Sequence, residues 1–592
     1  MLKKLWSPTG LLLQDINFKP GLNLIIGSAK YGQSHGTNGI GKSSIVRLID
    51  YLLLSSDAAK IFNSKKYAFL REQEHQVCLL LDNGDEFLQI RRSFGETKKV
   101  YIQENGQAEY PYEIEEAKKL FSGKFFPQTA ERKYPEGSHR NLMNFFVKDD
   151  LTSVKRDDPV IYLQHGGAKK SLLILLNLYL LGLPSTHLNS LLETWTITEE
   201  LTREANVLQK YLTDTSGKSV SQLRSEMAVK RKELELIRQS LSEFKLSDSF
   251  KRVSERIAEL DEQLANLRKK ERQTGNQLEK LKKFTESSRN EIDVDDVRKQ
   301  YESVALDLGR IIRKSLEEVL DFRASITQER LKFYGSRMTE LSSEHKKLLA
   351  EIQEKDAQRA GLMKTIDDNM DMSLTEAWGR YALESTKIAE IRQRLDSIEK
   401  IHAELGRMHH DESMHHMQMQ VALSECSESV ETIRSLFNEI VAAAFEDILY
   451  EAKGVYLDIS AQGQLKNRKM PVRIEIGFPH IEALGQTKLK TVIYDLTVFL
   501  NAVRGNIPLP DFLIHDGVFH GIEIRKKVNL LNYIHERSEQ SSFQYITTFN
   551  EDEIQIGDGD RSRGINYRFD LDGNIIINLK DKPEEMLFGF RF

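Results

Sequence analysis

Residues 36–43 of this chain read Gly36-Thr37-Asn38-Gly39-Ile40-Gly41-Lys42-Ser43. They match the pattern G-x-x-x-x-G-K-[ST], in which glycines let successive backbone N–H groups point at phosphate oxygens. The apolar run 22–27 before the loop predicts a buried strand. After the loop, apolar residues recur at helical spacing, at Ile45, Leu48, Ile49 and Leu52. A strand, a glycine-rich loop and a helix in this order predict a nucleotide phosphate site in an α/β domain.

The loop residues have distinct expected tasks on a bound nucleoside triphosphate. Lys42 is expected to reach the β- and γ-phosphates, and the Ser43 hydroxyl is expected to bind Mg²⁺. The helix that follows adds the positive end of its dipole. The alternative is a chance glycine-rich turn with a lysine, which the flanking strand and helix disfavour. The residues predicted to contact ATP are Gly36, Asn38, Gly39, Ile40, Gly41, Lys42, Ser43 and Ser44.

Bulk composition is that of a large soluble intracellular protein of 592 residues. The net charge is −5 with 29% charged residues, so any DNA contact must come from a local patch. Two cysteines, Cys78 and Cys426, cannot form a disulfide framework, which suits a reducing compartment. The apolar run 172–183 is shorter than the roughly 20 residues that a bilayer span needs. We therefore expect a cytoplasmic location and no membrane partner.

Composition divides the chain into three predicted domains. Residues 1–190 are expected to form a mixed α/β N-lobe that carries the phosphate loop. Residues 191–429 are rich in Glu, Lys, Gln, Arg and Leu and contain no proline, which favours long helices. Residues 430–592 are expected to form a mixed α/β C-lobe.

The middle domain carries the apolar repeat of a coiled coil. One seam alternates spacings of four and three residues, and seven of its nine positions are apolar: Val253, Ile257, Leu260, Leu264, Leu267, Glu271, Thr274, Leu278 and Leu281. Weaker seams begin at Leu341 and Ile388. We expect two antiparallel arms with an apex near 285–325. An arm of about 90 residues would extend about 135 Å at roughly 1.5 Å per residue. The alternative is a globular bundle of ordinary amphipathic helices.

The C-lobe contains two segments with the residue types of a nucleotide site. Gly485-Gln486 precedes a predicted helix over 489–503, where backbone N–H groups can donate to phosphate. The predicted strand 512–514 is followed by His515 and Asp516. Later strands, 567–571 and 575–579, are expected to pair as a hairpin around Asp572-Gly573. These segments can join the phosphate loop in one site only if the chain of the middle domain leaves the N-lobe and then returns to it.

The order of these parts resembles the SMC/RecN class of ABC ATPases. Residues 18–23, Phe-Lys-Pro-Gly-Leu-Asn, followed by the loop 38–44 are similar to the N-terminal signature of that class. The resemblance implies an α/β fold with a split ABC-type P-loop ATPase head. Its N- and C-lobes would be joined, with an antiparallel coiled-coil arm inserted between them. Among subfamilies, the chain looks most like the short SMC-like ATPases of bacterial anti-phage and anti-plasmid operons, the Lamassu type among them.

The resemblance also implies a function. Two heads of a homodimer would sandwich ATP and Mg²⁺, and ATP binding and hydrolysis would control the grip on double-stranded DNA and on a partner effector. In a defence operon the effector would be a separate subunit, such as a nuclease, beside a small accessory subunit. One alternative is an ATP-gated regulatory scaffold that holds an effector without binding DNA. Another is a structural coiled-coil protein with a vestigial ATP site.

The resemblance assigns roles to C-lobe residues by their place in the chain. Gly485 and Gln486 occupy the signature position, with one glycine where the class has two. Asp516 would either bind Mg²⁺ or act on the attacking water, and in the second case His515 replaces the usual aspartate. Since only one carboxylate follows this strand, hydrolysis is expected to be slow. Gln164 is a candidate metal ligand, although a plain loop glutamine fits equally well. The remaining candidates are Glu523, as the acid of the D-loop, and Thr548 or Asn550, as sensors of the γ-phosphate.

Two further features stay open at this point. The stretch 408–416 is rich in histidine and acidic metal-ligand types, but a solvated helix end explains it more simply. Residues 251–283 carry ten Lys or Arg and six Asp or Glu, a face that either contacts DNA phosphates or is merely solvated.

Overall fold

The computed structural model of the chain describes residues 1–28, 40–82, 86–148, 158–161, 169–243, 248–290, 310–367, 372–445, 453–462, 470–478 and 484–589. These residues divide into two compact units. The first, called here the α/β unit, comprises Met1–Leu201 and Leu405–Phe592. The second, called the helical unit, comprises Thr202–Glu404. The domain boundaries expected at residues 190 and 429 stay predictions.

All strands of the described residues lie in the α/β unit, in three sheets. Their bounds are β1 Leu2–Trp6, β2 Ile16–Asn17, β3 Gly21–Ser28, β4 Gln76–Asp82, β5 Phe87–Ser93, β6 Lys99–Glu104, β7 Tyr110–Glu113, β8 Val147–Lys148, β9 Tyr456–Ala461, β10 Val472–Gly477, β11 Phe512–His515, β12 Gln544–Asn550 and β13 Ile575–Lys580. A six-stranded sheet has the order β2-β1-β4-β5-β6-β7, and its pairs are antiparallel. Strands β9 and β10 form an antiparallel pair of their own.

A five-stranded parallel sheet of order β13-β3-β12-β11-β8 forms the centre of the α/β unit. Strand β3, from the first residues of the chain, pairs on both sides with strands from the far end, β12 and β13. All eight residues of β3 are buried, which is typical of a parallel strand covered on both faces. The predicted α/β class is therefore confirmed, and the structure adds that the central sheet is parallel.

The helices cover the sheets and make up the helical unit. Their bounds are α1 Lys42–Leu52, α2 Ser56–Phe62, α3 Ala68–Glu72, α4 Ile114–Phe125, α5 His139–Phe146, α6 Lys170–Leu180, α7 Thr186–Ser216, α8 Val220–Glu243, α9 Asp248–Asn290, α10 Arg310–Asp367, α11 Met372–Glu425, α12 Ser427–Ala444, α13 Leu484–Arg504, α14 Ile524–Gln540, α15 Glu551–Ile554 and α16 Asp558–Ser562. No helix in the described part of the chain is both long enough and apolar enough to cross a bilayer.

Helices α9 and α10 of the helical unit run antiparallel. Asp261 on α9 forms an ion pair with Arg359 on α10. Glu271, which lies further along α9, contacts His345, which lies earlier in α10. The predicted seam lies between the helices, because Ile257, Leu260 and Leu264 on α9 are buried. Residues 291–309, in the predicted apex, lie outside the described residues.

One predicted pairing is wrong. Residues 567–571 do not form a strand, and Asp572–Asn574 forms a single 3₁₀ turn instead of a hairpin turn. The following strand β13 runs parallel to β3, with Ile577 beside Ile25. On the side of β3 opposite β12, β13 can form a long ladder of backbone hydrogen bonds. The predicted hairpin with residues 567–571 would give β13 only a short ladder.

Candidate active site

Three parallel strands bring their carboxyl ends to one edge of the central sheet. The register places Asn550 of β12 beside Gly27 of β3, and His515 of β11 beside Thr547 of β12. Helix α1 begins at Lys42, soon after β3 in the chain. In open α/β sheets, ligands bind at this edge, where the chain leaves the strands.

The first half of the predicted phosphate loop, including Gly36, Asn38 and Gly39, lies outside the described residues. Its second half is described, and Gly41 has the positive φ of 114° as the residue before α1. A Cβ added to Gly41 would lie 2.4 Å from Cβ of Leu587, so close packing as well as conformation favours glycine here. Ile40 and Ser44 are buried, whereas Ser43 is half-buried. The contacts expected of these residues with ATP stay predictions.

Lys42 joins the loop to the end of β12. Its Nζ donates a hydrogen bond of 2.7 Å to Oδ1 of Asn550. Burial lowers the pKa of Lys42, although the negative charges of Asp516, Glu553 and Asp552 oppose that shift. A half-buried ammonium group can donate a charge-assisted hydrogen bond to a phosphate oxygen.

Asp516 follows β11 and is almost completely buried. Thr548 donates its hydroxyl to Oδ1 of Asp516 at 2.5 Å, and the N–H of Gly517 donates to the same Thr548 hydroxyl oxygen at 3.0 Å. The backbone N–H of Asp516 donates to the carbonyl of Lys148 at 2.8 Å. These bonds fix the carboxylate at the edge of the sheet where Lys42 also lies.

The oxygen donors at this edge are of the kind that Mg²⁺ uses. Magnesium is usually held by one or two carboxylates together with phosphate oxygens and water rather than by a complete protein cage. Asp516 supplies a carboxylate and Ser43 a hydroxyl. Within the described ranges, no group of three or more His, Cys, Asp or Glu side chains is arranged to hold a metal ion. The histidine-rich stretch 408–416, which is all described, therefore forms no such site.

His515 points away from solvent into a buried polar cluster. Its Nε2 lies 3.1 Å from Oδ2 of Asp495, and its Nδ1 lies 2.8 Å from the Tyr545 hydroxyl. Burial lowers the pKa of His515, which keeps the ring neutral. Since the Asp495 carboxylate can only accept, Nε2 carries the proton and the Tyr545 hydroxyl donates to Nδ1. Its predicted catalytic role stays a prediction.

Two members of that cluster were missed by the sequence analysis. Lys148, at the end of β8, donates to Oδ2 of Asp495 at 2.5 Å, and both side chains have zero exposure. Each charge follows an apolar run, 145–147 for the lysine and 492–494 for the aspartate. Lys and Asp side chains are almost never fully buried unless they are paired, so the apolar neighbours of these two residues agree with their burial as an ion pair.

The signature-like segment lies beside the loop that follows Asp516. Gly485 and Gln486 form the first turn of α13, and a Cβ on Gly485 would lie 2.2 Å from the carbonyl oxygen of Gly521. Lys488 donates its Nζ to the carbonyl of Gly517 at 3.0 Å. The segment is thus fastened to the Asp516 loop, and its predicted phosphate contact stays a prediction.

Three other candidates have different positions. Gln164 lies outside the described residues. Glu523 precedes α14, and its side chain caps none of the N–H groups of that helix. Asn550 is fixed by a capping box with Glu553, which accepts from the Asn550 N–H at 2.9 Å.

Comparisons with known proteins find a family model that matches part of the chain and a set of similar solved structures, of which two are described below. The family model DUF2326, described as an uncharacterised protein conserved in bacteria, matches residues 445–592. No curated protein matches the chain. The chain is similar to the Smc head domain with a coiled coil and joint from Pyrococcus yayanosii, at 14% identity over 98% of this chain and 94% of that chain, with a TM-score of 0.38. It is also similar to the Smc head domain with an extended coiled coil bound to the C-terminal domain of ScpA from Pyrococcus furiosus, at 12% identity over 99% and 94%, with a TM-score of 0.34.

Proposed function

We propose that the chain is an SMC-like ATPase whose heads dimerise on ATP and thereby control DNA and a partner effector. One observation carries the proposal. The loop lysine Lys42, the strand-end carboxylate Asp516 and the polar end of β12 at Asn550 meet at the carboxyl edge of one parallel sheet. Since β3 comes from the start of the chain and the other strands from its end, the site exists only when both ends fold together.

The described residues divide the work on Mg–ATP. Bound magnesium would neutralise charge on the β- and γ-phosphates. Lys42 would exchange its bond to Asn550 for a phosphate oxygen, which neutralises the half-buried ammonium group. Ser43 and Asp516 would hold the metal, with Thr548 orienting the Asp516 carboxylate. Because Gly41 has no side chain, the N-terminus of α1 would be free to face the phosphates.

The proposal includes slow hydrolysis of ATP. Gly517, after Asp516, supplies no second carboxylate. Among the described residues, a further acid at this edge is Glu553, which already accepts from the Asn550 N–H at 2.9 Å and lies 2.7 Å from Nδ1 of His520. A carboxylate held in this way is a poor general base. We assign His515 a positioning role, because its ring is wholly buried against Asp495 and Tyr545.

The proposed partners of the chain are a second copy of itself, DNA and an effector. The backbone N–H groups of Gly485 and Gln486 would donate to the ATP of a second head, and the antiparallel helices of the helical unit would change position as heads close. Double-stranded DNA, an effector such as a nuclease with a small accessory subunit, and a role in bacterial anti-phage or anti-plasmid defence are proposed from the resemblance alone. A cytoplasmic location goes with these partners.

The test of the proposed ATP site removes the ammonium group of Lys42. Lys42→Ala should weaken ATP binding by about 100-fold, because a buried charge-assisted contact is worth roughly 3 kcal/mol. It should also abolish ATP-dependent dimerisation, measured by light scattering with and without ATP and Mg²⁺. The matched control is Lys60→Ala, an exposed lysine on α2 whose partner is Asp57. Unchanged dimerisation in the Lys42 variant would refute the ATP sandwich.

A second candidate function is a regulatory scaffold that holds an effector without touching DNA. The single carboxylate after β11 favours it, because a long-lived ATP state suits a switch better than a motor. Binding of the purified chain to double-stranded DNA over a salt titration separates the two. A steep loss of affinity with salt indicates phosphate contacts, whereas absence of binding at low salt leaves the scaffold.

A further inference from the structure

A histidine and a glutamate form a pair at the carboxyl edge of the central sheet, beside the proposed ATP site. His520 lies in the loop that follows Asp516, and Glu553 belongs to α15. Nδ1 of His520 lies 2.7 Å from Oε1 of Glu553. The imidazole is 63% exposed, whereas the glutamate side chain is 16% exposed. A ring that is open to solvent and held by a half-buried carboxylate can act on a water molecule at this edge.

The loop after Asp516 holds His520 at a defined place. The N–H of Gly517 donates to the Thr548 hydroxyl at 3.0 Å, and the His520 N–H donates to the carbonyl of Gly517 at 3.1 Å. Phe519 is buried, and its ring packs on the ring of Phe549 in β12. The loop is therefore anchored in the core immediately before His520, and the imidazole stays near the end of β12.

Hydrogen bonds connect the pair to the lysine of the phosphate loop. Oε2 of Glu553 accepts from the Asn550 N–H at 2.9 Å, and Oδ1 of Asn550 accepts from Nζ of Lys42 at 2.7 Å. The charge of Glu553 also acts on Lys42, because it opposes the lowering of the Lys42 pKa by burial. Since Lys42 is expected at the β- and γ-phosphates, the pair lies toward the end of the nucleotide that reacts.

The carboxylate decides which ring nitrogen of His520 carries the proton. An ionised carboxylate can only accept, so Nδ1 is the donor to Glu553 and Nε2 keeps its lone pair. A histidine that a carboxylate orients in this way can take a proton on Nε2, and the carboxylate then stabilises the imidazolium that forms. Glu553 can therefore assist a base although it is a poor base itself.

Other groups at this edge are less suited to activating water. Asp516 is the proposed metal ligand, and Gly517 follows it without a carboxylate. The ring of His515 has zero exposure and contacts Asp495, so a water molecule at the nucleotide does not reach it. His520, by contrast, presents its imidazole to the solvent side of the same edge.

Resting on the proposed function, we propose that His520 is the general base of ATP hydrolysis and that Glu553 is its positioning residue. Nε2 takes a proton from the attacking water, whose oxygen forms a bond to the γ-phosphorus. The bond between that phosphorus and the β–γ bridging oxygen breaks, and its electron pair leaves with ADP. The products are ADP and inorganic phosphate, and the imidazolium afterwards gives its proton to solvent.

The experiment separates ATP binding from ATP hydrolysis on the full chain. Single-turnover hydrolysis of Mg–ATP measures the rate, and titration calorimetry measures the affinity for ATP. His520→Ala should slow hydrolysis about 100-fold, a usual contribution of a general base, and should leave the affinity for ATP unchanged. Imidazole added to this variant should restore part of the lost rate, because the exposed position of the missing ring admits a small base.

Two further variants make the result specific. Glu553→Gln keeps an acceptor for the Asn550 N–H but loses the charge that stabilises the imidazolium. It should slow hydrolysis about tenfold or more, and added imidazole should not restore the rate, since His520 still occupies its place. His410→Ala removes an exposed histidine of α11 and should hydrolyse ATP like the parent, with and without imidazole.

The outcomes distinguish this assignment from the ATP site itself. If Lys42→Ala binds ATP like the parent, the phosphate site is wrong. If Lys42→Ala loses affinity but His520→Ala hydrolyses ATP like the parent, His520 is not the base and the phosphate site stands. The same conclusion follows if His520→Ala is slow and imidazole restores nothing, or if the parent binds ATP without hydrolysing it.

Discussion

Nζ of Lys148 lies 2.5 Å from Oδ2 of Asp495, and neither side chain is exposed to solvent. The same carboxylate oxygen is 3.1 Å from Nε2 of His515, the residue before Asp516. Burial lowers the pKa of Lys148, and the Asp495 charge opposes that shift. The pair thus connects β8, α13 and the strand that ends at the candidate metal ligand.

Asp495→Asn should lower the free energy of unfolding by about 3–5 kcal/mol, because a buried ammonium loses its counter-charge. Chemical denaturation measures the change. A second substitution, Lys148→Met, should recover part of the loss, since it removes the uncompensated charge as well. The control is Asp458→Asn, whose partner is the surface residue Arg434, and it should cost less than about 1 kcal/mol. Equal stability of the parent and Asp495→Asn would contradict the buried pair.

Thr548→Val should slow ATP hydrolysis about tenfold while keeping the side-chain shape, because Asp516 loses the hydroxyl that orients it. Steady-state phosphate release measures the rate. Thr547→Val is the matched control, since Thr547 lies in the same strand with a buried hydroxyl that has no hydrogen-bond partner among the described residues. Its rate should equal that of the parent. Equal slowing in both variants would point to the strand rather than to the hydroxyl.

His139 gives the fold an acid-sensitive core. It lies between the rings of Phe121 and Phe126, and burial lowers its pKa to about 3. The unfolded chain, with a histidine pKa near 6.5, therefore binds the proton first, and stability falls as pH drops from about 6.5 toward 3. The slope from this residue is about 1.4 kcal/mol per pH unit.

Replacing the imidazole tests this origin. His139→Leu should flatten the loss of unfolding free energy between pH 6 and pH 4 by about 2–3 kcal/mol relative to the parent, followed by denaturant titration at each pH. The exposed His520→Gln serves as the control and should follow the parent. A parallel pH profile for the His139 variant would show that the acid sensitivity comes from other groups.

Gly485→Ala should lower the free energy of unfolding by about 1–3 kcal/mol, because the new Cβ would lie 2.2 Å from a backbone oxygen of Gly521. Thermal unfolding measures the loss. Gly559→Ala adds the same methyl group in the short helix α16, where nothing lies within 4 Å, and should be neutral or slightly stabilising. Similar stability of the two variants would mean that α13 and the Asp516 loop separate freely.

Local patterns explain which features the sequence could predict. Helix α1, the strand β11 before Asp516 and the seam through Leu260 each have a signal within a few residues, and the described residues contain those elements. The partner of β13 was predicted incorrectly, because nothing near Ile577 in the sequence shows that β3, more than five hundred positions away, has a free side. Strand pairing over that distance depends on which edge remains available after the sheet assembles.

Asp495 and Lys148 of the site were not predicted for the same reason. Asp495 and Lys148 are far apart in the chain, and each follows an apolar run that does not indicate its partner. Their partnership forms only when α13 and β8 meet in the folded α/β unit, where Asp495 also contacts His515.

Strand β3, complete by Ser28, acquires its neighbours only from residues 544–550 and 575–580. A ribosome must therefore synthesise residues 544–580 before the strand is enclosed. Until then, its apolar residues need shielding from other nascent chains, and a stalled translation product would expose them. We expect such products to depend on chaperones and to be removed by proteolysis, so that cells accumulate only molecules able to close the site.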